Sequence, residues 1–411
     1  MHTGSAGRTD PHGWGCAYVA PILQPVTALA DLRAQLARLA TPAAAVELAE
    51  LEPILPHRLD PTRDAIAAAA SQLDAPDVDP RLRARLMLRL ATLKLVETDL
   101  EGADQALVAA GRHAPDARAL RFLAGARACR ITLRRGNRVE AGAMLVETAS
   151  ALPALDDATE PTWREVTCEV ILGIAEVALG DEPVAVDGFA PLVELVAELD
   201  ADPRRVEVAF AGHQLLAAAA LARGESAAPH LRALVALARA HASPADEIEA
   251  RVTLASVLAA AGEPIGLEEA ARTVQIARDR ALEHGLTALH RATLLAQAGV
   301  LAAHGKTAGA LDRTLELARA AQRDGDVAGY VAAVGVMAEL YARAGDHVSA
   351  FRTIVEANAA LGAALGTNVG PLFREHLARL RERVGAERLD RIAADVDRAN
   401  RLAGQIAAEK P

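Results

Sequence analysis

Glu165, Glu169 and Glu176 are separated by four and seven residues, a spacing that places three carboxylates on one stripe of a helix. Such a stripe can remain a solvated face, or it can line a groove and concentrate a basic peptide or domain. It lies within Asn137 to Asp200, a section holding 14 acidic residues against the two arginines Arg138 and Arg164. The whole chain carries a formal charge of −10, so the acidity is concentrated there. A second polar set, His290, Thr293 and Gln297, also shares one helical face by steps of three and four residues.

Other arrangements lack the geometry their chemistry requires. Gly299, Gly305, Lys306 and Thr307 approximate a phosphate-binding loop, but five residues separate the glycines instead of four. The segment also falls at a helix-to-helix turn, where the backbone cradle that follows a strand cannot form. His284, His290 and His304 do not follow the four-residue spacing, with a carboxylate, of a helical metal site. Cys16, Cys129 and Cys168 are distant, odd in number and in no metal-like pattern, which argues against a disulfide framework and fits a reducing cytoplasm. A serine nucleophile elbow is absent from the sequence. No catalytic, cofactor-binding or metal-ligating residue is predicted, and the chain is read as a non-enzyme.

The elements that must position these residues are helices. Hydrophobic residues make up 52% of the 411-residue chain but aromatics only 2%, so the apolar material is mostly Ala, Leu and Val. Ala and Leu lead the helix propensities, and small Ala side chains let helices approach closely. Gly136, Gly180, Gly224, Gly262, Gly305 and Gly345 recur at intervals of 38 to 44 residues, a period characteristic of stacked helical hairpins. Each glycine suits the left-handed turn that closes a helix. Apolar stretches are broken by charge well before the roughly 20 residues a membrane helix needs.

Within this period, Met87, Leu90 and Ala91 mark one helical face and Ala103, Leu107 and Ala110 a second, ended by Pro115. The order returns with Ala141, Leu145 and Pro153, in part with Ala298, Gly305 and Ala310, and again with Met337, Ala338, Tyr341, Gly345, Ala350 and Ala357. This pattern resembles the tetratricopeptide repeat (TPR). Lys94 stands where that family usually has an aromatic, and the units near Gly180, Gly224 and Gly262 are stretched or altered. The resemblance covers about Arg81 to Ala364. It implies an all-α fold: a right-handed α-solenoid of stacked antiparallel helix pairs whose inner surface comes mainly from the first helix of each pair.

The expected organisation is a disordered N-terminal lead over 1–25, degenerate repeats or a cap over 26–80, TPR-like repeats over 81–364, and capping helices over 365–411. Helices are expected over Thr27 to Leu51, Pro61 to Leu73, Gly370 to Arg383 and Ala386 to Glu409. The groove candidates are Glu165, Glu169, Glu176, His213, Gln214, Arg251, His290, Arg291, Thr293, Gln297 and Tyr330. The expected role is a cytoplasmic scaffold or adaptor that binds a protein or peptide, with a basic partner suited to the carboxylates. The alternative is a stand-alone sensor related to the TPR-like regions of bacterial transcription regulators, binding a peptide or small effector, with a helical enzyme as the lesser third reading. Lys94, Lys306 and Lys410 are the only lysines, and the acidic balance speaks against nucleic acid as a direct ligand. No membrane association is expected.

Overall fold

The computed structural model describes residues 32–74, 77–150, 161–179, 189–199 and 206–408. Among them the fold is all helical, and the single isolated β-bridge joins Leu55 and Arg58. The expected N-terminal lead, Gly180 and Pro153 lie outside the described residues. No helix among the described residues is long and apolar enough to cross a membrane.

The chain divides by packing into two units, Met1–Ala250 and Arg251–Pro411; the expected boundaries at 80 and 364 fall inside them. The first unit contains α1 (32–39), α2 (Pro42–Leu51), α3 (Asp60–Gln72), α4 (Pro80–Val96), α5 (Leu100–His113) and α6 (Arg118–Arg134). It continues through α7 (Arg138–Ser150), α8 (Pro161–Ala178), α9 (Ala190–Leu199), α10 (Val206–Ala222) and α11 (Ala228–Ala240). The division falls within α12 (Pro244–Ala261). The second unit adds α13 (Pro264–Glu283), α14 (Thr287–Ala303), α15 (Thr307–Asp324), α16 (Val327–Arg343), α17 (His347–Leu365), α18 (Gly370–Val384) and α19 (Ala386–Ala408). Within each unit, helices pack on the next element and the next but one, as α4 does on α5 and α6, and α16 on α17 and α18.

Local chemistry starts and stops these helices. Thr41 and Asp79 cap helices that begin with Pro42 and Pro80, and their side chains accept from the amides of Ala44 and Arg81. The helix expected over Thr27 to Leu51 is broken before that cap, where Ala40 takes φ +49°. At Gly136 (φ +86°) the Gly136 amide donates to Leu133 O and the Asn137 amide to Thr132 O, the paired bonds of a Schellman turn. The same pair closes α4 and α11 without glycine: Thr98 (φ +62°) and Ala242 (φ +50°) occupy the left-handed position.

The small residues of the repeated pattern form the interior. Ala91, Ala103 and Ala110 are buried between α4 and α5, and Ala338, Ala350 and Ala357 between α16 and α17. Each removes little apolar area, so cohesion comes from close approach repeated along the helices. Lys94 projects from this layer and pairs with Glu97 and Asp99 at 3.1 and 3.3 Å.

One feature of the first unit departs from neighbour-only packing. Arg89 is 4% exposed; its Nε donates to Ala49 O at 3.1 Å and its Nη1 to Glu207 Oε1 at 2.5 Å. The other Glu207 oxygen accepts from the Ile54 amide at 3.2 Å. Burial pulls the Arg89 pKa down, but the facing Glu207 carboxylate more than offsets it and holds the guanidinium charged. The segment after α2 is thereby fastened to α10, more than a hundred residues along the chain.

Candidate functional site

The acidic stripe is built on α8. Glu169 is buried: it accepts from Arg127 Nε at 3.2 Å and from Arg130 Nη1 at 3.1 Å, both from α6. Glu176 accepts from Arg130 Nη2 at 2.8 Å. Burial pushes the Glu169 carboxyl up, but the Arg130 and Arg127 guanidiniums outweigh this and hold it below the ordinary carboxylate range. Glu165 is half-buried, and its charge acts on Arg85 and Arg89 of α4. Glu169 and Glu176 therefore do not form an open acidic stripe. Their countercharges lie on the preceding first-of-pair helix, just outside the section over which the acidity is concentrated.

The polar groove candidates are dispersed. His213 is buried on α10, its Nδ1 3.2 Å from Nδ1 of His230 on α11, whereas Gln214 beside it is exposed. Arg251 is half-buried on α12. Thr293 and Gln297, expected to line the groove, are buried: the Thr293 hydroxyl donates to His290 O, and Gln297 Nε2 to Gln275 Oε1 of α13 at 3.1 Å. Gln297 thus reaches α13 through its Nε2, while Thr293 bonds back to its own helix and the buried Gln297 Oε1 has no hydrogen-bond partner among the described residues. Burial, aided by Arg278, lowers the pKa of His290. Arg291 pairs with Asp324 and with Asp326 at 3.0 Å, and Tyr330 is partly buried against two core clusters.

Another face of α14 is open. Leu295 and Gly299 line a cavity of about 380 Å³ in the second unit with Val252 and Ser256 of α12 and Arg343 of α16. The three contributing helices alternate along the chain. Leu295 is 37% exposed, and the Arg343 side chain, paired with Glu339 at 2.9 Å, is 64% exposed at the cavity wall. Small residues let a ligand approach the helix backbone, while the arginine adds one directional polar group. Sequence reasoning missed this face because it sought polar residues. The available signal was the run of small or apolar positions Ala292, Ala296, Gly299 and Ala303, which recurs by three and four residues.

Lys306 sits in the turn before α15, next to Gly305 at φ +73°, and Gly299 lies inside α14. This arrangement is a helical turn and not a phosphate cradle. Cys129 and Cys168 are buried, and burial pushes the Cys129 thiol up to about 11, which keeps it protonated at neutral pH.

No protein-family model matches the sequence, and comparison with curated proteins returns no relative.

Proposed function

We propose that this chain is a non-enzymatic, TPR-like scaffold that binds a protein or peptide partner in the trough formed by α12, α14 and α16. The observation that carries this reading is the cavity of about 380 Å³, walled by alternate helices and lined by small and apolar residues. The proposed architecture is a right-handed α-solenoid, supported by helix contacts confined largely to near neighbours. A pre-formed trough lowers the ordering cost of binding. The partner segment presents an apolar face to Leu295 and Gly299 and a hydrogen-bond acceptor to Arg343. A cytoplasmic setting suits the buried thiols Cys129 and Cys168.

Leu295→Arg fills the trough from an exposed position, and Leu315→Arg places the same charge at an exposed position of α15. Peptides selected from a displayed library against the wild-type protein are expected to lose at least tenfold in affinity for Leu295→Arg and to retain binding to Leu315→Arg. Equal binding to all three proteins would falsify the trough assignment.

The same cavity supports a second reading, a stand-alone sensor related to bacterial regulators, because its volume lies in the range of about 300–1,000 Å³ typical of small-ligand sites. A small effector that binds there raises the thermal midpoint by mass action in wild type but not in Leu295→Arg. Metabolite-induced shifts that persist in the variant would argue against this reading.

A further inference from the structure

The second place where distant residues meet is the start of α12. Ser243 immediately precedes the helix, and its Oγ donates to Asp246 Oδ2. Asp246 is only 2% exposed and also accepts from the backbone amide of His57. The His57 ring lies on Glu249, with Nε2 3.0 Å from Oε2. Asp246 and Glu249, three residues apart on one helix, present adjacent side chains. His57 arrives from 192 residues away in sequence. Its segment is pinned by the Ile54–Glu207 bond and by the Arg58–Glu52 pair at 2.5 Å.

We propose that His57, Asp246 and Glu249 form a binding site for a zinc-class divalent transition-metal ion, which clasps the segment after α2 to the start of α12. One potential ligand atom from each residue lies within 4.8 Å of the others. Metal–ligand bonds of about 2.0–2.2 Å in a tetrahedral site place neighbouring ligand atoms roughly 3.4 Å apart, so the widest pair of the set must close by up to about 1.4 Å. His57 and Glu249 are exposed and have room to do so, whereas Asp246 is held by Ser243.

The donor set narrows the ion. An imidazole with two carboxylates and no thiolate suits Zn²⁺ and its neighbours. Ca²⁺ requires six to eight oxygen ligands, and Mg²⁺ has little affinity for imidazole relative to water and carboxylate. Ser243 supplies the outer hydrogen bond that typically fixes a ligating carboxylate. Exposure of His57 and Glu249 gives the ion a path from solvent, and water completes the coordination. The ion replaces the His57–Glu249 hydrogen bond by two metal bonds, and it gives the sequence-distant contact a dependence on metal concentration.

The test uses the full chain, stripped with chelator and titrated with Zn²⁺ against a chromogenic competitor. His57→Gln and Glu249→Gln change exposed side chains, and His284→Gln is an exposed control on another element. Wild type and His284→Gln are expected to bind one more equivalent, at micromolar affinity or better, than His57→Gln and Glu249→Gln. Zn²⁺ should raise the thermal midpoint of the first pair by several degrees more than that of the second. Co²⁺ should give a visible d–d spectrum that His57→Gln weakens, and millimolar Mg²⁺ should produce no comparable shift. Circular dichroism establishes that the variants are folded. Equal stoichiometry, affinity and thermal response in all four folded proteins would overturn the proposal and leave an ordinary ion pair between His57 and Glu249.

Discussion

Arg130→Met removes a guanidinium while keeping most of its apolar stem, and so isolates the charge network between α6 and α8. Arg127 and Arg130 face Glu169 and Glu176 at 2.8–3.2 Å, with side-chain exposures between 8% and 13%. The substitution leaves one guanidinium for two carboxylates and strands Glu176, which is 12% exposed. Removing one partner of a buried pair costs about 3–5 kcal/mol, much of it the penalty for the charge left behind. A kilocalorie shifts the midpoint of a unit of this size by about 2–4 °C, so a fall on the order of 10 °C is expected. Arg130→Met with Glu176→Gln removes the stranded charge and should recover at least about 1.5 kcal/mol of coupling. Urea unfolding followed by Trp163 fluorescence reads the same layer, because Trp163 on α8 stacks 5.5 Å from Phe122 on α6; a Trp14→Phe background removes the other tryptophan. A cost below about 1 kcal/mol, or strictly additive variants, would refute the reasoning and make Glu169 and Glu176 available again to a basic partner.

Two further outcomes follow from burial and close packing. His241 is 8% exposed, and burial, reinforced by the Arg33 and Arg58 charges and partly opposed by Glu52, lowers its pKa to about 4. The unfolded imidazole titrates near 6.5, so between these values the unfolded chain binds more protons and stability rises with pH. Acidification through that window should cost up to about 3 kcal/mol from this group; His241→Gln should flatten the dependence of the thermal midpoint on pH, and an unchanged slope counts against the assignment. In α8, a Cβ on Gly173 would lie 2.7 Å from Cδ2 of the buried Leu145 on α7, whereas one on Gly111 meets nothing within 4 Å. Gly173→Ala should therefore destabilise by about 1–3 kcal/mol through overpacking, while Gly111→Ala should stabilise by up to about 1 kcal/mol through helix propensity. Urea midpoints moving in the same direction for both would contradict this account.

Much of the local structure was legible because helix-forming chemistry is local. The Ala and Leu content, the proline starts and the glycine stops anticipate α4, α5, α16, α17 and both C-terminal helices, and Ala91, Ala103, Ala338 and Ala350 are buried as their spacing implies. Glycine counting missed the turns at Thr98 and Ala242, where other residues take the left-handed conformation. The candidate sites were less legible because side-chain exposure depends on what packs above a helix. Thr293 and Gln297 look like surface residues until packing buries them, and Leu295 looks like core until it is left open.

The sequence by itself determined most of the helices, the glycine turns between them and the small residues at their crossings, since these follow from propensity and period over a few residues. Tertiary structure decided which charges cancel. Glu169 and Glu176 belong to an acidic section of chain, yet Arg127 and Arg130 reach them from another helix. Folding likewise brings His57 to Asp246 and Glu249 across 192 positions of His57–Glu249 separation. Electrostatic and ligand-binding interactions act over ångströms of space, and distance along the chain does not measure them.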